Sequence, residues 1–240
     1  MNQIEVENLT KQSWSKSEFE EYRKYIESIK GDELNCKWEQ RIVNTKLPCC
    51  AQSCTKARSI ASAIFKGNYI EFLQNIFFEN HIDTLVYAYI LNKIKDFNVF
   101  EKYLLGFAKK VDNWASCDAL KHKNKDKSKL LNLCNKLKTS KFVFARRIAV
   151  NIMFDLLTEQ VLPQIFNLLN FLKDEQEYYV NMSGAWLLCE CFVKYRDKTL
   201  EYFKNNNTND FIINKAISKC RDSFRVSNLD KEFLKTLKRN

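Results

Sequence analysis

Only two prolines and four glycines interrupt 240 residues. These residue types bend or stop regular structure most sharply, so their scarcity commits the chain to runs of one element with short connections. Apolar spacing says which element. In "KSEFEEYRKYIESIK", Phe19, Tyr22, Ile26 and Ile29 recur at intervals of three and four, the period of one helical face. "TKARSIASAIFKGN" reads as a helix capped by Thr55 and stopped at Gly67-Asn68. "HIDTLVYAYILNKIKD" and "FNVFEKYLLGFAKKV" follow. In "DNWASCDALKHKN", Asp112 can cap a helix that carries Trp114 and Asp118 on one face. Further segments, from "KSKLLNLCNKLK" to "SNLDKEFLKTLKR", repeat the pattern. The expectation is an all-α helical solenoid of about a dozen short helices. It forms one domain over 1–240, with 1–15 as a flexible leading segment.

Charge is unevenly spread. The formal net charge is +10, but the first 110 residues hold 16 basic and 14 acidic side chains, against 23 and 15 in the rest. Between Lys121 and Arg147 ten residues are basic and only Asp126 is acidic. Stacked helices curve, and a basic concave face can follow a polyanion such as duplex DNA. The run supplies Lys121, Lys123, Lys125, Lys141 and Arg146 as candidate DNA contacts. The same charges also suit a solvated face with no partner.

Nine cysteines raise the question of metal or disulfide. "MNQIEVENLTKQSWSK" lacks the apolar core of a secretory signal, and no run reaches transmembrane length. Reduced thiols and a cytoplasmic location are expected. Cys49, Cys50 and Cys54 cluster, but no histidine or second cysteine pair follows at finger-like spacing, so zinc is not expected. Cys189 and Cys191 fall in an apolar run and read as core residues. His81 and His122 alone leave little material for histidine catalysis.

Four stretches carry a family likeness: "DNWASCD", "ARRIAV", "YYVNMSGAWLLCECFVKY" and "DFIINKAISKCRDSFRVSNLDKEFLKTLKR". They resemble the AlkD-type DNA alkylation repair family, from Ala57 to the C terminus. The resemblance implies a right-handed α/α superhelix of HEAT-like repeats. It implies a monomer that excises N3- and N7-alkylated purines, such as 3-methyladenine and 7-methylguanine, from duplex DNA in base excision repair. It carries the active-site tryptophan and aspartate onto Trp114 and Asp118, the arginine onto Arg147, and a second tryptophan onto Trp186. Arg146 leaves the arginine's register open by one residue. Family members commonly show a Gly-Val-Arg-x-Pro turn where this chain has "AQSCTKAR", without the glycine or the proline.

The residue types suit that chemistry. A purine alkylated at N3 or N7 is a cation with a weakened glycosidic bond, so it leaves without a general acid. What needs stabilising is the sugar's oxocarbenium ion, which the Asp118 carboxylate can oppose while orienting a water. The indoles of Trp114 and Trp186 favour a cation by roughly 0.5–2 kcal/mol each. The Arg147 guanidinium can clamp a phosphate. No metal or cofactor enters this scheme, and the family's likeness implies work in an open cleft rather than on an extruded base.

Spacing alone gives plainer readings. Trp186 would be core, Trp114 an apolar anchor, Asp118 a partner for Lys121 or His122, and Arg147 a solvated charge. The alternative function is a non-catalytic HEAT-like repeat protein that binds DNA or another acidic partner. An aspartate retained beside a phosphate lattice favours the enzyme, because a pure binder gains nothing from it.

Overall fold

The computed structural model describes residues 5–122 and 125–239. Lys123, one of the candidate DNA contacts, lies outside the described residues. Every regular element among the described residues is helical. The first seven α-helices are α1 (Lys16–Ser28), α2 (Glu33–Val43), α3 (Cys54–Lys66), α4 (Tyr69–Asn75), α5 (His81–Lys93), α6 (Phe97–Lys110) and α7 (Trp114–Asp118). Seven more follow: α8 (Lys127–Lys138), α9 (Val143–Leu156), α10 (Leu162–Phe171), α11 (Tyr178–Lys194), α12 (Arg196–Lys204), α13 (Asp210–Asp222) and α14 (Asn228–Lys235). The all-α helical-repeat class is as the sequence implies. Contacts within the chain group into two compact units, Met1–Lys121 and His122–Asn240.

The first unit is built on α5. Every residue from His81 to Leu91 is buried, as expected for a helix apolar on nearly all sides. It packs against α3, α6 and α7. Its polar first turn is satisfied internally: Asp83 accepts from Tyr22 Oη at 2.8 Å and from Arg23 Nη1 at 2.7 Å. The leading segment is not loose in its described part. Leu9 and Trp14 are buried, and Thr10 Oγ1 donates to Ala63 O at 3.1 Å.

Helices α2 and α4 are absent from the sequence reading. Leu34, Trp38 and Ile42 lie exposed along α2, so its apolar period marks the outer face rather than the core. Helix α4 has only seven residues, too few to show a period. Two caps also differ from expectation. Ser53, not Thr55, caps α3, its Oγ accepting from Lys56 N at 3.2 Å; Thr55 already lies inside the first turn. Asn113, not Asp112, caps α7.

The second unit is built on α11, whose seventeen residues pack against α9, α12 and α13. A Cβ added to Gly184 would meet Ile212 Cδ1 at 3.1 Å, so glycine permits the close approach of α11 to α13. Cys189 and Cys191 are buried, as the apolar run implies. No helix among the described residues is long and apolar enough to cross a membrane.

Candidate functional site

Trp114 and Asp118 line one open cavity of about 670 Å³ in the first unit, with Arg58, Tyr89, Asn92 and Lys121 among the other walls. The helix that carries them, α7, is five residues long and cannot hold itself in water. Side-chain hydrogen bonds hold it instead. Asn113 Oδ1 accepts from Ser116 N at 2.9 Å, closing the first turn. Asp112, the cap expected from sequence, turns away: it accepts from Thr45 Oγ1 at 2.8 Å and from Lys46 N at 2.8 Å, tying α7 to the end of α2. The Trp114 indole N–H donates to Ile42 O at 3.2 Å, which fixes the orientation of the ring.

The other end of α7 is clamped from α5. Asn92 Nδ2 donates to Ala119 O at 2.9 Å, and Asn92 Oδ1 accepts from Lys121 N at 2.8 Å. One amide thus satisfies an acceptor and a donor that the end of a helix leaves over. It stops the chain immediately after Asp118, and so sets where that carboxylate stands. The floor of α7 is polar and buried: Ser116 Oγ lies 2.7 Å from Thr84 Oγ1 on α5.

The cavity also holds Arg58, Tyr89 and Lys93, which the sequence alone did not single out. The Arg58 guanidinium stacks over the Tyr89 ring at 5.0 Å. Burial pushes the Tyr89 phenol up to about 12, so it remains a neutral hydroxyl at ordinary pH. Arg58, Lys93 and Lys121 are exposed, and all three line the cavity. The one available signal was Asn92, a polar residue closing the apolar run "YAYILNK".

Arg147 and Trp186 stand on α9 and α11 of the second unit, which pack together. Trp186 is 48% exposed, although an apolar helix suggests core. Helix α11 is apolar nearly all round, and this side of it is left uncovered. Phe154 meets the indole edge to face at 5.8 Å, and the Lys219 ammonium lies 5.5 Å from its ring centre. Arg147 is 5% exposed, and its guanidinium donates to Tyr179 O. It is not a solvated charge.

The remaining basic candidates differ among themselves. Arg146 makes a two-pronged pair with Glu175, at 2.6 and 3.0 Å, and donates to Ser140 O at 2.9 Å. That pairing raises the Arg146 guanidinium's pKa, so its charge is engaged within the fold. Lys121 and Lys141 are exposed, and Lys141 lies over the Phe142 ring at 5.4 Å. Lys125 is half-buried, which lowers its pKa. His122 is engaged by Asp155, whose Oδ2 accepts from His122 N at 2.6 Å.

A family model described as DNA alkylation repair enzyme matches residues 15–220. No curated protein and no solved structure matches the chain.

Proposed function

The protein belongs to the DNA alkylation repair enzyme family, and from that premise we propose that it is a DNA glycosylase releasing cationic N3- and N7-alkylpurines from duplex DNA. The observation that carries this reading is the pairing of Trp114 and Asp118 in one open cavity, on a helix held at both ends by hydrogen bonds. An alkylated purine leaves as a neutral base when the glycosidic bond breaks, and the bonding pair goes to the purine. The sugar then carries the positive charge. A fixed carboxylate at Asp118 opposes that charge without reorganising, which is where electrostatic catalysis gains most. Water adds to the sugar carbon and loses its proton, leaving an abasic site.

The other groups take supporting roles. Trp114 offers an indole face to the cationic base. Arg58, Lys93 and Lys121, exposed on the cavity wall, suit phosphates on either side of the lesion, and the exposed Lys141 of the second unit suits a phosphate as well. Trp186 and Arg147 carry the family's remaining site positions. The nine free thiols suit a reducing, cytoplasmic compartment, and the proposed working form is a monomer.

One observation favours the second reading, binding without excision: Arg147 is directed to a backbone carbonyl rather than to solvent. The test is release of free base from methylated duplex DNA by the purified protein. Release of 3-methyladenine or 7-methylguanine above the spontaneous rate is the expected result. Tight binding with no release would favour the binding module.

A further inference from the structure

Glu39 on α2, Cys49 in the loop before α3, and His81 at the start of α5 converge beside the proposed reaction site, with Glu39 and His81 in its wall. Their candidate ligand atoms all lie within 4.8 Å of one another, and Cys49 and His81 are buried. The spacing in sequence hides this, because no histidine follows the cysteines at finger-like distance; the fold brings His81 to them. His81 N donates to Pro48 O at 2.8 Å, pinning the first residue of α5 to the cysteine loop.

The hydrogens around His81 can be counted. Thr84 Oγ1 lies 2.7 Å from His81 O, and a carbonyl only accepts, so the threonine hydrogen is spent there. Ser116 Oγ lies 2.7 Å from Thr84 Oγ1, so the serine hydrogen is spent on that contact. The remaining contact, Ser116 Oγ to His81 Nε2, is long at 3.5 Å, and any hydrogen in it comes from Nε2. With the hydrogen there, Nδ1 faces Glu39 Oε1 at 2.7 Å as acceptor against acceptor, a contact that a cation between them relieves. A metal ion there also engages the neighbouring Cys49 thiol, whose other polar contact is Leu47 O at 3.9 Å.

We propose that Glu39, Cys49 and His81 form a binding site for one divalent zinc-like cation. Mixed nitrogen, sulfur and oxygen donors are the set zinc takes, with three protein ligands and a water completing a tetrahedron. Bonds of about 2.0–2.3 Å place ligand atoms roughly 3.3–3.8 Å apart, so Nδ1 and Oε1 need to separate by only about 0.6 Å. The atoms behind the ligands are already tied back, as metal sites require. His81 Nε2 meets Ser116 Oγ, and Glu39 Oε2 accepts from Ala51 N at 2.7 Å. Ala51 itself has φ 52°, a left-handed conformation costly for alanine, and it is this turn that brings its N–H to Glu39. Because Glu39 and His81 also line the cavity, and His81 Nε2 meets Ser116 Oγ of α7, the bound ion braces the wall beside α7. The proposal does not depend on glycosylase activity.

The experiment uses the untagged full chain, stripped of metal by a chelator, then titrated with Zn²⁺ and separately with Co²⁺. Expected are one equivalent of Zn²⁺ bound and, with Co²⁺, the near-ultraviolet absorbance of a thiolate–cobalt bond. That absorbance should vanish in Cys49→Ser and persist in Cys50→Ser, whose thiol instead contacts Asn80 Oδ1 at 3.0 Å. Absence of stoichiometric binding in the unmodified chain overturns the site. A cobalt–thiolate band that survives Cys49→Ser, or is lost in Cys50→Ser, overturns the ligand assignment. The unmodified chain decides the first point even if a variant folds poorly.

Discussion

Trp114 and Trp186 present aromatic faces by opposite means. Trp114 rides on a five-residue helix that hydrogen bonds from Asn92, Asn113 and Thr45 hold in place. Trp186 rides on a seventeen-residue helix held by apolar packing against α9 and α13. The first arrangement makes the position of Asp118 depend on a few named side chains. The second spreads the load over many contacts, each worth little alone. Mutations near the two tryptophans should therefore fail differently: activity first in one unit, stability first in the other.

The sharpest way to break this contrast is Asn92→Ala. It removes both hydrogen bonds that stop the chain after Asp118, while the rest of α5 stays packed. Excision should fall about 100-fold, the cost of a displacement near 1 Å at a reacting centre, and the loss of stability should stay near 1 kcal/mol. Base release and urea unfolding on one preparation check both. Equal activity would show that α7 holds its place without the clamp.

In the second unit the order reverses. Arg147→Met keeps the bulk but removes the guanidinium's hydrogen bond to Tyr179 O, so unfolding stability should drop by about 1–3 kcal/mol. Denaturant titration measures this. Unchanged stability with weakened DNA binding would make Arg147 a phosphate clamp after all.

How much of this was legible beforehand differs between the units in the same way. Helices such as α8 and α9 announce themselves, because apolar residues recur every three or four positions. The positions Trp114, Asp118, Arg147 and Trp186 came from a family likeness, not from periodicity. Asn92 and His81 were not readable as a set with α7, since their partners lie far off in sequence and only tertiary contact joins them. Trp186 reads as core for a related reason: an apolar helix does not reveal which side its neighbours leave bare. Ala51 shows the converse. The altered family turn was plain in "AQSCTKAR", but only the fold reveals that Ala51 adopts a left-handed backbone, at φ 52°.

Smaller effects sharpen the contrast further. Replacing the exposed Lys121 and Lys141 with glutamine should flatten the slope of log affinity against log salt by about two, with no change in folding. An unchanged slope would mark both as solvated charges. Ala51→Gly should raise stability by up to about 1 kcal/mol, because glycine adopts the left-handed conformation without a Cβ penalty. Lower stability would mean that the greater freedom of glycine in the unfolded chain outweighs the strain relieved.

The most direct measurement is base release and DNA affinity for Asp118→Asn beside the unmodified protein. The change keeps shape and hydrogen-bonding capacity and removes only the charge that opposes the oxocarbenium ion. The expected result is a fall of about 10²–10³ in release of 3-methyladenine, with affinity for undamaged duplex held or improved as a negative charge leaves. Excision by Asp118→Asn equal to that of the unmodified protein would contradict the assignment of Asp118.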